Sequence, residues 1–167
     1  MATKGMIVYS FAWRKKGHSP CNVRLGRAAK RIIKKQGKDV EIVVFAQRTT
    51  AAVLKELGVE RHVTEKKPGY EGSEEPTHQA MELFRARGIT EVVPVANPFL
   101  HLFKCIQLVR QAGFKTPSFW KLAKMIGWIG FDKKSEQPGT RGPIMLIFYT
   151  VRQMLFGYRP PVEQSEP

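Results

Sequence analysis

The chain has 167 residues, of which 43% are hydrophobic and 25% are charged. This length fits one domain, and the composition is that of an ordinary globular protein, which excludes disordered and fibrous chains. The formal net charge of +14 is concentrated in residues 1–48 and 104–167. A surface this basic attracts phosphates, nucleic acid or anionic lipid headgroups. Cys21 and Cys105 are too few for a disulfide scaffold, so we expect unpaired thiols in a cytoplasmic protein.

Glycines divide the first two thirds of the chain. Gly37, Gly58, Gly88 and Gly113 each follow a stretch with the apolar spacing of a helix, and therefore predict helix ends. Four short segments rich in β-branched or aromatic residues predict strands: MIVYSF at 6–11, VEIVVF at 40–45, ERHV at 60–63 and TEVVPV at 90–95. Strands that alternate with amphipathic helices predict an α/β fold, a Rossmann-like three-layer sandwich with a mostly parallel central sheet.

We predict a single domain over residues 1–158, with a core at 6–113, a C-terminal helical extension at 119–157 and a flexible tail at 159–167. The stretch FWKLAKMIGWIGF is apolar and aromatic, and a polar loop follows it at 132–142. A helix is predicted over residues 143–156, with Pro143 near its first turn and Gly157 after its end, and it is too short to span a membrane. The aromatic side chains of the extension either complete the core, which we favour, or lie beside lysines on an anionic membrane surface.

In an open α/β sheet, ligands bind outside the carboxyl ends of the strands, where loops lead into helix N-termini. The first such loop carries Trp13 and a run of cations, while Ser19 and Pro20 suit the cap and the first position of a helix. Thr49 or Thr50 is expected to cap the next helix. The loop is either a solvated basic segment or an anion site, and its candidate ligand-binding residues, with those of the second loop, are Arg14, His18, Asn22, Gln47 and Arg48.

The third and fourth loops add further candidates. The third, at 64–78, is long enough for a lid or binding loop and contributes Ser73 and Glu75. In the fourth, Asn97 ends a strand, Pro98 is expected to open a helix, and His101 and Lys104 lie three residues apart in its first turn. A lysine there is unfavourable to the helix dipole, so a bound anion or a carboxylate would explain it. The alternative is that these side chains only cap or pack the helices.

No metal site is expected. The four histidines are scattered, and neither C-x-x-C nor H-E-x-x-H spacing occurs. The chain also lacks G-x-G-x-x-G, a Walker lysine loop and a G-x-S-x-G elbow, so the common nucleotide-binding and hydrolase motifs are absent.

Three motifs carry a resemblance to a known family. The run SPCNVRLGRAA matches an R-x-x-R-A-like first helix, SEEPTHQA stands at an S-x-N-T-x-E-N-A-like motif, and VANPFLHLFKC at a strand–T-S–aromatic–H-x-x-R-A motif. Over about residues 6–113 the chain resembles the YdcF/SanA-like family of bacterial proteins, also called domain of unknown function 218. The resemblance implies a Rossmann-like domain, often near the inner membrane and linked to envelope functions, with S-adenosylmethionine binding in one member. It implies a pocket that contains Arg24, Ser73, His101 and Lys104.

We therefore expect an anionic or nucleotide-like small ligand, such as S-adenosylmethionine or a phosphorylated envelope precursor, at the carboxyl edge of the sheet. The alternative is a basic protein that binds nucleic acid or an anionic membrane surface without catalysis. Under either function, the expected location of the protein is the cytoplasm, either free or peripheral to the inner membrane. The sequence predicts no particular reaction.

Overall fold

The computed structural model describes residues 2–37, 39–65 and 72–156. Along this part of the chain, strands and helices alternate before a helical C-terminal extension. The elements are β1 (Ala2–Val8), α1 (Pro20–Lys35), β2 (Val40–Ala46), α2 (Arg48–Glu56), β3 (His62–Val63), α3 (Glu74–Ala86), β4 (Val92–Val95), α4 (Leu100–Gln111), α5 (Phe119–Ile126), a 3-10 turn (Pro138–Thr140) and α6 (Pro143–Phe156).

The four strands of the described residues form one parallel sheet in the order β3-β2-β1-β4. The central strand β1 pairs with β2 from Ala2↔Val40 to Val8↔Ala46, and its second half pairs with β4. Helices α1 and α2 pack together, as do α3 and α4, while α5 packs against α1, α4 and β4. This arrangement confirms the predicted α/β, Rossmann-like fold.

The start of α1 has the predicted cap, and the start of α2 does not. Ser19 accepts a hydrogen bond from the Cys21 amide (3.3 Å) at the start of α1, and Pro20 is its first residue, as predicted. The threonine cap predicted for α2 is wrong, because Gln47 stands at that position and forms no side-chain cap bond. Thr50 instead donates to the carbonyls of Val8 (3.0 Å) and Gln47 (2.8 Å). All four predicted helix-ending glycines have φ between 65° and 88°.

Several predicted boundaries shift. Strand β1 ends at Val8 and not at residue 11, because its partner strands end at Ala46 and Val95 and offer no further ladder. The segment predicted as a strand at 60–63 pairs only through His62 and Val63. Helix α4 begins at Leu100, after Pro98, and the polar loop at 132–142 contains the 3-10 turn. Residues 66–71 of the predicted third loop, Gly157 and the tail at 159–167 lie outside the described residues.

The packing of α3 on the sheet depends on a glycine in the central strand. Met6, Ile7 and Val8 of β1 are fully buried, so both faces of this strand are covered. A Cβ atom on Gly5 would lie 2.7 Å from the ring of Phe84, which is itself fully buried. The hydrogen at this position therefore lets the aromatic ring rest directly on the backbone of β1.

We expect Gly5→Ala to lower the free energy of unfolding by about 1–3 kcal/mol, because the buried ring cannot move away without disturbing the core. Gly142→Ala is a matched control, since no heavy atom lies within 4 Å of its Cβ position and its φ is not positive. Urea unfolding of the two variants measures the difference. Equal stability of both would contradict this account of the α3 packing.

Candidate functional site

A cleft of about 230 Å³ opens at the carboxyl ends of β1 and β2, between the β1–α1 loop and the first turn of α2. We call it the cationic cleft. It brings together three predicted basic residues from two loops, Arg14, His18 and Arg48. Its volume is below that of most small-molecule pockets, so it suits a compact ligand or one end of a larger one. The complete lining is Trp13, Arg14, Gly17, His18, Ser19, Asn22, Arg48, Thr49 and Ala52.

Arg14 is held at the cleft by a carboxylate from the C-terminal extension. Its Nε donates to Oδ2 of Asp132 at 2.7 Å and its Nη2 donates to Oδ1 at 2.6 Å. The Asp132 side chain is only 2% exposed. The hydrogen bonds from Arg14 hold the pKa of this carboxyl below its usual range, so Asp132 is charged at neutral pH. This bidentate geometry fixes the orientation of the guanidinium.

Two other predicted residues hold the β1–α1 loop in shape. The buried side chain of Asn22 accepts from the Phe11 amide (2.7 Å) and donates to the Ala12 carbonyl (2.8 Å). These bonds hold Ala12 at φ 79°, a conformation that residues other than glycine rarely adopt. Gln47 accepts from the Ser10 amide at 2.9 Å. The side-chain amides of Asn22 and Gln47 thus hold the backbone that forms the wall of the cleft.

His18 differs from these amides because its partner is a side chain at the far end of α2. Its Nε2 lies 2.9 Å from Oε1 of Glu56, which is largely exposed. An exposed pair of this kind contributes little to stability. His18 therefore lines the cleft with Glu56 as a partner that a more tightly bound anion could replace.

A second group of polar side chains, which we call the buried polar cluster, lies between α3 and α4. Ser73 Oγ lies 3.0 Å from His101 Nε2, and Thr77 donates to the Ser73 carbonyl at 2.5 Å. The Tyr9 hydroxyl lies 2.7 Å from that of Thr77. The His101 ring stacks on Phe11, with 5.7 Å between centroids. Two residues from the motifs that carry the family resemblance, Ser73 and His101, are thus in direct contact.

The buried polar cluster is uncharged at neutral pH. Burial, reinforced by the nearby charge of Lys104, lowers the pKa of His101 to about 4. Burial also raises the pKa of Tyr9 and of the Cys105 thiol. Nδ1 of His101 is buried without a hydrogen-bond partner among the described residues. Neutral groups can orient a ligand by hydrogen bonds, but they provide no charge to attract an anion.

The remaining candidates of the third and fourth loops have partners of their own. Lys104 Nζ lies 2.6 Å from Oε1 of Glu74, so this carboxylate explains the lysine at the N-terminus of α4. Glu75 accepts a hydrogen bond from Gln79 at 2.8 Å, within α3. Neither candidate contacts the cationic cleft.

The crevice between β1 and β4, where the strand order reverses, is filled by the C-terminal extension. The Gly130 carbonyl accepts from Asn97 Nδ2 at 2.7 Å. The Phe131 ring packs between Phe11 and Phe99, with centroids 5.9 Å and 6.1 Å away. The cationic cleft lies beside β2, one strand away from the ligand position typical of this fold.

Arg24 also contacts the extension, since its Nη1 donates to the Ile129 carbonyl at 2.8 Å. Its hydrogen-bond partner thus lies in the extension, whereas Ser73 and His101, with which the resemblance grouped it, contact each other. Sequence reasoning missed Asp132, the partner of Arg14. The one feature of the sequence that could have pointed to Asp132 is its position, because it is the first acidic residue after Glu91 along a basic stretch.

Within the described residues, no group of three histidine, cysteine, aspartate or glutamate side chains is placed to hold a metal ion. Cys21 and Cys105 are both buried and free. In the same part of the chain, every helix is too short or too polar to cross a bilayer.

Comparisons with known proteins give little guidance. No family model matches the chain, and no curated protein matches it. Among solved structures, complete pyruvate carboxylase from Rhizobium etli matches 74% of this chain at 12% identity and a TM-score of 0.37. A variant of that enzyme solved with acetyl coenzyme-A gives the same coverage and identity at a TM-score of 0.36. The chain spans 12% of these proteins, and likenesses this weak identify neither a family nor a ligand.

We expect acid to destabilise the protein through His101. Its pKa is about 4 in the folded chain, whereas the ordinary value of a histidine, which applies to the unfolded chain, is 6.5. The unfolded chain therefore binds the proton more readily. Stability is then fully present above pH 6.5 and falls as pH drops towards 4, by about 3 kcal/mol at most. His101→Gln can still bond Ser73 and does not titrate, so urea unfolding should show a smaller acid loss for it. His78→Gln, on the exposed side of α3, is the control, and an equal loss in all three proteins would refute the assignment.

The Arg14–Asp132 pair predicts unequal effects of its two single variants. Arg14→Ala leaves the buried carboxylate of Asp132 without its cation, whereas Asp132→Ala leaves the guanidinium of Arg14 partly exposed, where water can solvate it. We therefore expect the larger fall in Tm from Arg14→Ala, and a double variant that loses less than the sum of the two. Thermal unfolding of the three variants measures this coupling. Strictly additive losses would mean that the pair does not join the extension to the loop.

Proposed function

We propose that this chain is a binding domain for a small phosphate- or carboxylate-bearing ligand, which occupies the cationic cleft. The observation that supports the proposal is the convergence of Arg14, His18 and Arg48 on one cleft at the carboxyl edge of the sheet. Asp132 offsets the charge of Arg14, and Glu56 is paired with His18. The positive field at the cleft therefore comes mainly from Arg48 and from the first turn of α2, which contains no acidic residue and no side-chain cap. Its positive dipole end therefore remains uncompensated and favours an anion.

A nucleotide-like ligand is the best match for this lining. Trp13 lies in the same cleft as the cations and offers an aromatic surface for a base, while Arg14 and Arg48 offer donors for a phosphate. The volume of about 230 Å³ accommodates part of a mononucleotide, with the remainder in solvent. A phosphorylated precursor of similar size has the same chemistry.

S-adenosylmethionine fits the cleft less well. Its sulfonium group is a cation, and the lining residues include no carboxylate. The nearby acidic side chains, Glu56 and Asp132, are paired with His18 and Arg14. The lining therefore does not fit this cofactor, although the contact between Ser73 and His101 supports the proposed kinship with the YdcF/SanA-like family.

Nucleic-acid binding by the basic face of α1 has less support. Two of its cations are used inside the fold, since Lys30 donates to the Leu57 carbonyl (2.7 Å) and Arg31 to the Ile126 carbonyl (2.8 Å). The exposed cations that remain, such as Arg27 and Lys34, alternate with these along the helix. A phosphate backbone would therefore meet a narrow row of charges and no exposed aromatic rings on α1.

Calorimetric titration of the intact chain with phosphate, AMP and S-adenosylmethionine tests the proposal. We expect AMP to bind more tightly than phosphate, because Trp13 adds a stacking surface, and S-adenosylmethionine to bind most weakly. Arg48→Gln should weaken AMP binding by about tenfold or more, the effect of losing one charged hydrogen bond. Lys35→Gln removes the same charge from the last residue of α1, about 24 Å along that helix from Ser19 at the cleft, and should change affinity by less than about twofold, consistent with screening over that distance.

Two results would contradict the proposal. Equal effects of the Arg48 and Lys35 variants would mean that only the general positive field attracts the nucleotide. Tighter binding of S-adenosylmethionine than of AMP would assign the cleft to a cationic ligand.

A further inference from the structure

Helix α6 exposes an apolar stripe on the side that faces away from the protein. Ile144, Ile147, Phe148 and Val151 recur at intervals of three and four residues, so they share one face of the helix. They are between 48% and 79% exposed. A helical face of this composition is ordinarily buried, and here no other part of the described chain covers it.

The opposite side of α6 is the side that attaches it to the protein. Leu146 packs against the hydrophobic core, and Tyr149 lies against Gly139 in the 3-10 turn. Thr150 donates its hydroxyl proton to the Leu146 carbonyl (2.8 Å), which satisfies it within the helix. The helix is therefore anchored along one side, and its exposed stripe contains no polar side chain that would resist removal from water.

The surroundings of the stripe are cationic. Lys133, Lys134 and Arg141 are exposed in the segment that leads into α6, and Arg152 is exposed within it. Helix α6 contains no acidic residue. Two acidic residues precede the helix: Asp132 is buried and neutralised by Arg14, and Glu136 is half-buried, so the four exposed cations outnumber the acidic charge that remains. Whatever covers the stripe therefore meets a positive rim.

The sign of this charge distinguishes between possible occupants. A second copy of the chain would bring one cationic rim against another, since the formal net charge is +14. Residues 157–167, GYRPPVEQSEP, contain too few large apolar side chains to cover four exposed ones. An anionic lipid surface complements the cations and also accepts the apolar stripe.

The length of α6 agrees with a position along such a surface. Fourteen residues rise by about 21 Å, at about 1.5 Å each, which is less than the roughly 30 Å hydrocarbon core of a bilayer. Helices that lie in the interface typically combine an apolar face with flanking lysine and arginine. Trp120 and Trp128, in the preceding part of the extension, are also largely exposed, and tryptophan is enriched at the headgroup level.

We propose that α6 docks on an anionic membrane surface, with Ile144, Ile147, Phe148 and Val151 inserted at the headgroup boundary and the neighbouring lysine and arginine side chains against acidic headgroups. This docking is independent of ligand binding in the cationic cleft.

Flotation of the intact chain with phosphatidylcholine vesicles, with and without one-third phosphatidylglycerol, tests the docking. The wild type should bind the anionic vesicles, lose that binding at high salt and leave neutral vesicles unbound. The double variant Ile144→Ser/Phe148→Ser should bind the anionic vesicles at least about tenfold more weakly. Val63→Ser is the matched control, because Val63 is an apolar side chain on β3 that is 42% exposed, and it should bind like the wild type.

The variants are expected to keep the wild-type Tm, since the substituted side chains are exposed. Failure of the folded wild type to bind anionic vesicles would overturn the proposal. Equal binding by the double variant and the wild type would overturn the role of α6. A wild-type dimer that the double variant converts to a monomer would identify a second copy as the occupant of the stripe, and would also overturn membrane docking.

Discussion

The ion pair between Arg14 and Asp132 joins the β1–α1 loop to the C-terminal extension. The position of the extension depends on this contact. A carboxylate that is 2% exposed is costly unless it is paired and hydrogen-bonded, and Asp132 receives two bonds from Arg14 and one from the Lys134 amide (3.1 Å). Beside it, the Ser135 hydroxyl donates to the Trp13 carbonyl and accepts from the Trp13 amide, both at 3.2 Å. These contacts fix the wall of the cationic cleft and the start of the segment that supports α6.

Many of the cations in this chain bind backbone carbonyls, which explains how a strongly basic protein can use its charges structurally and still remain positive. Arg24, Arg31 and Arg141 donate to the carbonyls of Ile129, Ile126 and Ser135. A carbonyl accepts the hydrogen bond but leaves the positive charge of the side chain uncancelled. The carboxylate of Asp132, by contrast, cancels the charge of Arg14. The extension is thus attached to α1 and to itself by cations whose field persists at the surface.

The sequence predicted those features that local chemistry determines. Helix ends follow from glycines at positive φ, and the parallel sheet follows from apolar strands that alternate with amphipathic helices. It could not predict partners that are distant along the chain. Asn22 and Gln47 looked like ligand donors, but each amide turns to a backbone group of the β1–α1 loop, and Asp132 meets Arg14 across 118 residues. The aromatic extension also divides in a way that its composition does not reveal, since Phe131 packs on the core while Trp128 is exposed.

The filled crevice accounts for the position of the remaining open space. In a sheet with the order β3-β2-β1-β4, the loops after β1 and β4 diverge and would leave room for a ligand. Here Gly130 and Phe131 occupy that room, and the Asn97 amide, which could otherwise face a ligand, donates to the Gly130 carbonyl. The loops after β1 and β2 still leave an opening, and the same extension supplies the carboxylate that orients Arg14 towards it. The extension therefore fills the crevice in which this fold typically binds ligands and builds one wall of the cationic cleft.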